Sequence, residues 1–289
     1  MAFDPYLYLA FGIGLAAGWV VRPKSPWVPR LTVAAIVVLV GLLGASLTSI
    51  GGAALLATVP LALGFAALML AATLAVVLLL ARLRPYAGPP PRPGTGSERF
   101  PLSGLLLLAL VGGYLVGRVT PIPAEAAIPW ALCALLGIVG FGLELRVGRL
   151  PDLWRPLTAA AVGAILAAGV VAALARVPVP VALATASAFG FYSLAGPLVA
   201  ARAGAELGLL AFLTNFLRED LTMLSAPWLG RRARGEGLTA MGGATAMDTT
   251  LYFVTRYGDR EAASVAIATG LLLTVAATLV VPALLALPV

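Results

Sequence analysis

Histidine is absent from this 289-residue chain, cysteine occurs once, and only 11% of the residues are charged. Without histidine a His-based metal site is excluded, and any proton relay must run through carboxylates, tyrosines or water. The lone Cys133 cannot form an internal disulfide and, within an apolar run, reads as a small buried residue. No phosphate-cradling glycine loop, zinc-ligand spacing, Ser/His/Asp set or dinucleotide fingerprint appears, which argues against an enzyme and against an ATP-driven mechanism, and no cofactor is implied. The opening Met1-Ala-Phe-Asp4-Pro-Tyr6 lacks the basic stretch and small-residue cleavage site of a secretory signal, so the first helix is expected to stay.

What fills the chain is apolar. Hydrophobic residues make up 61% and the mean hydropathy is +1.02, against about 45–50% apolar and about 25% charged in soluble chains. Apolar segments run over roughly 5–21, 31–50, 54–81, 101–117, 126–145, 156–176, 181–200, 205–229, 238–257 and 262–288. Most approach or exceed the ~18–20 residues that cross a hydrocarbon core. The fold class is therefore an all-α polytopic membrane protein, with the lipid bilayer as its first partner. The net charge of +7 does not point to nucleic acid, because most basic residues stand at the ends of apolar segments, where they set orientation.

The Pro/Gly-rich stretch 82–99 cannot pack a core and reads as a linker between a first three-helix unit (1–81) and a second (100–176). Residues 177–289 form a third region. Gly41-Leu-Leu-Gly44-Ala-Ser-Leu47 recurs as Gly137-Ile-Val-Gly140-Phe-Gly-Leu143, an offset of 96 that also relates Arg22 to Arg118. Three spans per unit is an odd number, so the second unit enters from the opposite face, the inverted repeat of many secondary transporters. Treating 181–200 and 238–257 as re-entrant or broken-helix hairpins gives about eight spans. All 19 Lys+Arg except Arg118, Arg176, Arg202 and Arg218 then share one face. That face is cytoplasmic by the positive-inside rule, which leaves both termini outside. If all ten segments cross, Arg231, Arg232 and Arg234 change sides and the bias weakens.

Both hairpin segments are interrupted by turn-formers. The first carries Phe189-Gly190-Phe-Tyr192-Ser193-Leu-Ala-Gly196-Pro197 and the second Gly242-Gly243-Ala-Thr245-Ala-Met-Asp248-Thr249-Thr250. Non-helical backbone at membrane depth is tolerated where it is buried in protein or lines a wet cavity, and it offers unpaired N–H and C=O groups to a ligand. Ionisable groups in a bilayer interior cost several kcal/mol, roughly, unless they are paired or hydrated, so those retained here are site candidates. Asp248, among Thr245, Thr249 and Thr250, suits an amine, a proton or a sodium ion; its structural alternative is a helix cap. On the segment between the breaks, Asn215, Arg218 and Glu219 share one face, with Asp220 turned away. Glu219 is the second acid. Arg218 either restrains its charge or locks two helices through Glu219 or Asp220. Tyr192 and Ser193 can hydrogen-bond a ligand or simply pack the tip. Glu144 with Arg146 reads as an interfacial pair.

In the run Ala186-Ser-Ala-Phe-Gly-Phe-Tyr192-Ser193-Leu-Ala-Gly196, the element Asn215-x-x-Arg218-Glu219, the basic Arg231-Arg232, and Gly243-Ala-Thr-Ala-Met-Asp248, the chain resembles the LysO-type lysine exporter family. The resemblance covers residues 180–260 well and the first half in outline. It implies an inner-membrane exporter of L-lysine or a related cationic amino acid, exchanging it for protons, with eight spans and both termini outside. One departure matters. The resemblance implies an aspartate after the Gly-x-Ser-Leu element of the second helix, and Gly51 stands where that acid belongs. Losing one of two intramembrane carboxylates is expected to weaken binding of a dibasic substrate and to alter coupling. The alternatives are a neutral solute moved with sodium or protons, for which the hydroxyls around Asp248 also serve, and a non-transporting scaffold. A scaffold would pair Asp248 and Glu219 with arginines.

Overall fold

The computed structural model describes residues 5–21, 27–49, 52–83, 102–142, 153–247, 249–257 and 262–288. Within them the chain is helical, with no strand among the described residues. The helices are α1 (Pro5–Val21), α2 (Trp27–Ser46), α3 (Gly52–Leu83), α4 (Leu102–Val119), α5 (Ala124–Gly142), α6 (Trp154–Ala175), α7 (Val179–Ala186), α8 (Tyr192–Ala203), α9 (Ala205–Gly242), α10 (Leu251–Tyr257) and α11 (Ala262–Leu285). Short 3₁₀ turns cover Leu47–Ser49 and Gly243–Met247. Most of the linker 82–99, the Glu144/Arg146 pair, Gly51 and Asp248 lie outside the described residues.

Leu56–Leu83, Trp154–Ala175 and Ala262–Leu285 are each long and apolar enough to cross a bilayer, and four shorter apolar helical stretches accompany them. Large apolar side chains such as Trp19, Leu56, Trp130, Leu174 and Trp228 are exposed on the outer surface. In water such a surface would aggregate; in lipid it is the solvated face. The protein is a multi-pass membrane protein. Prolines lie inside α3, α5, α8, α9 and α11, which membrane helices tolerate more readily than soluble ones.

Lipid tails are as apolar as leucine, so helices here associate by close packing rather than by expulsion of water. Glycines supply the closeness. On α1, a Cβ at Gly14 would overlap the Gly137 carbonyl of α5, and one at Gly18 would overlap the Phe141 carbonyl. On α4, a Cβ at Gly113 would overlap the Gly41 carbonyl of α2, and one at Gly117 would lie 3.1 Å from the Ala45 Cα. The two crossings use corresponding positions. Gly14/Gly113 and Gly18/Gly117 are 99 apart, while their partners Gly41/Gly137 and Ala45/Phe141 are 96 apart. The contact positions on α2 and α5 thus share the offset of 96 seen in sequence, whereas those on α1 and α4 differ from the Arg22/Arg118 offset by three residues.

The interior is built on α9, whose residues 208–216 are all buried. The sequence suggests a loop at 231–234, and the chain instead stays helical to a sharp break at Arg234 (φ 53°, ψ −169°). Arginine and alanine are good helix formers, so Arg231-Arg232-Ala233 continues the helix and the turn falls beside Gly235.

Candidate functional site

Both segments expected to break do so. The first stops at Ala186, turns through Ser187–Phe191 and restarts as α8 at Tyr192. Phe189 (φ 53°) and Gly190 (φ 98°) take left-handed backbone, which only glycine adopts without strain. The second runs from the Arg234 break to Gly242, turns at Gly243 (φ 67°) and restarts as α10 at Leu251. In each, eight helical residues precede the turn (179–186 and 235–242).

The two turns meet. The Ala244 N–H donates to the Phe189 carbonyl at 2.8 Å. A Cβ at Gly243 would overlap that same oxygen and stand 2.8 Å from Arg218 Nη1. A Cβ at Gly190 would lie 3.3 Å from the Gly242 carbonyl and 3.4 Å from Thr245 Cγ2. Glycine is needed at 243 for both its φ and the close approach. Gly270 on α11 plays a similar part behind the second turn, where a Cβ would stand 2.8 Å from the Ala244 carbonyl.

The Asn215/Arg218/Glu219 face of α9 lies against this junction. Asn215 Oδ1 accepts from the Gly190 N–H at 2.8 Å, while Nδ2 donates to the Thr185 carbonyl at 2.8 Å and the Ala211 carbonyl at 3.0 Å. Its amide is thus committed to backbone left open by the first break. Arg218 Nη2 donates to the Ala240 carbonyl at 3.1 Å, in the last turn before the second break. Thr222 donates to the Arg218 carbonyl at 2.8 Å and lies 3.3 Å from the Met241 carbonyl. One helix face therefore holds both turns, the first through Asn215 and the second through Arg218 and Thr222.

Arg218 is 1% exposed and Glu219 3%. The guanidinium forms no ion pair with a carboxylate among the described residues, so of the two readings of Arg218 the lock through Glu219 or Asp220 is not seen there. Its Nε and Nη1 have no hydrogen-bond partner among the described residues. Tyr192 and Ser193 begin α8 and are buried. The Tyr192 ring meets Phe212 and Phe216 of α9 edge-on at 5.7 and 5.9 Å. The Thr245 hydroxyl donates to the Gly242 carbonyl at 3.0 Å, Thr249 is half-buried, and Thr250 is fully buried. Among the described residues no cluster of three potential metal ligands occurs.

Sequence reasoning missed Thr222, although it stands at i+4 from Arg218 on the same face and was legible by spacing. It also missed a second feature at the edge of the bundle. Arg155, at the start of α6, and Glu236, two residues past the α9 break, approach to 3.5 Å and line a shallow surface recess with Val77, Leu80 and Pro156.

The family of the lysine exporter LysO matches residues 107–285 of the chain. The chain is 33% identical to the lysine exporter LysO of Escherichia coli over 205 residues, covering 68% of this chain and 66% of that protein. It is 27% identical to a putative lysine exporter of Haemophilus influenzae over 176 residues, 59% of this chain and 89% of that one. No solved structure gives a significant match. The chain belongs to the LysO lysine exporter family.

Proposed function

We propose that this member of the LysO family is a secondary active transporter that exports L-lysine or a related cationic amino acid across the bacterial inner membrane, in exchange for protons. The relatives are named as lysine exporters, and the observation that carries the reading is the junction of two broken helices on a buried polar face. Such breaks cost backbone hydrogen bonds that lipid cannot restore, so a fold keeps them where a ligand uses the opened groups. Asp248, between Met247 and Thr249 of the second turn, takes the amine or the proton, with Glu219 as the second acid. Thr245 and Thr249 solvate that carboxylate. Tyr192 and Ser193 border the site from the first turn, and Asn215 holds that turn in place. With Gly51 where an acid is expected, Glu219 carries the role of the missing carboxylate.

The transport cycle follows from two inverted pairs. The matching α1–α5 and α4–α2 crossings support one inverted repeat (α1–α3 with α4–α6), and the two eight-residue half-helices support another in the last third. Eight spans with two broken hairpins and both termini outside is the topology that agrees with the charge bias. Alternating exposure comes from motion of the hairpin region against the first six helices. The scaffold alternative expects intramembrane arginine–carboxylate locks, and Arg218 has none with the described residues.

The test uses cells loaded with radiolabelled lysine. Expression of the chain should accelerate efflux, a protonophore should slow it, and Asp248→Asn should abolish the increment. Retained pH-driven efflux in Asp248→Asn would remove the role given to Asp248.

A further inference from the structure

The chemistry above accounts for a cationic substrate's amines and leaves unused the most unusual group in the interior. Among the described residues Arg218 is the largest of the fully buried side chains, and its guanidinium makes one hydrogen bond, to the neutral Ala240 carbonyl. Two of its three nitrogens have no hydrogen-bond partner among the described residues. A desolvated guanidinium is costly unless a hydrogen-bonded anion faces it, and among the described residues no carboxylate does so. Arginine presents several donors in a planar fork whose geometry matches a carboxylate. The unpartnered Nη1 is also the atom on which both turns converge. It lies 3.8 Å from where a Cβ would project at Gly190 and 2.8 Å from where one would project at Gly243.

Two features hold the charge in the absence of an anion. Nη2 is held by the Ala240 carbonyl, and the helical segment that ends at Gly242 presents C-terminal carbonyls of partial negative charge on that side. Neither feature uses Nε or Nη1. Nη1 faces the glycine-lined side of the junction, where Gly190 and Gly243 let a small anion meet backbone rather than side chains. In this conformation the Ala244–Phe189 hydrogen bond closes that side, so the anion reaches it when the turns part.

We propose that Arg218 is the receptor for the α-carboxylate of the exported amino acid. This rests on the reading of the chain as an amino-acid exporter, and it divides the substrate between two poles: Asp248 and Glu219 take amino groups, while Arg218 takes the carboxylate. It has a consequence for selectivity. A diamine, or an amino acid whose carboxylate is masked, leaves the guanidinium unpaired in the apolar interior and is rejected, although its positive charge would suit the acids. Specificity of this kind, from a buried polar group left unmatched, is stronger than that from shape.

The experiment measures efflux from proteoliposomes of L-lysine, lysinamide and cadaverine, by wild type, Arg218→Lys and Arg218→Gln. Wild type should prefer lysine over lysinamide and cadaverine by at least about 10-fold, equivalent to about 1.4 kcal/mol. Arg218→Lys, which keeps the charge, should retain the preference with a raised KM. Arg218→Gln should lose it, lysine falling to the level of the other two. If Arg218 only braces the Ala240 turn, all three substrates fall together in Arg218→Gln and the ratio is unchanged, which overturns the assignment. A wild type that moves lysine and lysinamide equally overturns it without any variant. A folded wild type that moves none of the three contradicts the exporter reading instead.

Discussion

Removing the Asn215 amide should loosen the first turn without unfolding the bundle. In Asn215→Leu, the Gly190 N–H and the Thr185 carbonyl lose their side-chain partner in a fully buried setting. The Ala211 bond matters less, since that carbonyl belongs to the ladder of its own helix. An orphaned buried group costs ~1–3 kcal/mol, whereas interhelical hydrogen bonds measured in membranes average only ~0.6 kcal/mol because alternatives are found in the lipid-embedded state. The lower figure applied to three bonds gives roughly 2 kcal/mol. The higher applied to two groups gives roughly 2–6 kcal/mol, and the lower end is favoured because the turn is able to relax. Two kcal/mol is roughly a 30-fold increase in the population of the opened turn. Amide hydrogen exchange of the detergent-solubilised protein reads this directly, in peptides covering 185–192, with α3 and α6 as internal controls. Exchange at Gly190 should rise by about that factor while the controls hold. Unchanged exchange across the turn in a folded Asn215→Leu protein would refute the claim that Asn215 sustains it.

Gly243→Ala forces a side chain into left-handed backbone at about 1–2 kcal/mol and also onto the Phe189 carbonyl and Arg218; a loss of about 3 kcal/mol or more is expected, seen as a clear drop in thermal stability and in transport. Gly14→Leu and Gly113→Leu should each separate one helix crossing, and the two should destabilise by similar amounts if the crossings are equivalent; a large disparity would count against the first inverted repeat. Glu236→Gln should change the melting temperature by less than about 4 °C, because the pair is partly exposed and separated by 3.5 Å. A C-terminal alkaline phosphatase fusion should be active and a C-terminal green fluorescent fusion dark, as an external C-terminus requires.

The breaks were legible because glycine, proline and hydroxyl clusters inside apolar segments have few other uses. The polar face of α9 was legible because three-and-four spacing is geometric. What the sequence could not supply was contact. Asn215 is a typical ligand-binding residue by type, and only the fold reveals that its amide is spent on the backbone at Gly190 and Thr185. Arg218 beside Glu219 and Asp220 reads as an ion pair by proximity in the chain. In the fold its guanidinium extends to the Ala240 turn instead, a neighbour 22 residues away. The helical Arg231–Ala233 stretch was missed because basic residues after a span resemble a loop, while their helix propensity is equally good. The offset of 99 between the contact glycines of α1 and α4 was hidden because small residues recur so often that Arg22 and Arg118 suggested 96 for these helices too.

The central claim is tested most directly by L-lysine flux in proteoliposomes, first under an imposed pH gradient and then under a sodium gradient. Saturable lysine movement driven by the pH gradient, and indifferent to sodium, is the result expected, and it would establish that glycine at position 51 is compatible with coupling. Absence of lysine movement under both gradients, in a preparation shown to be folded, would contradict the assignment.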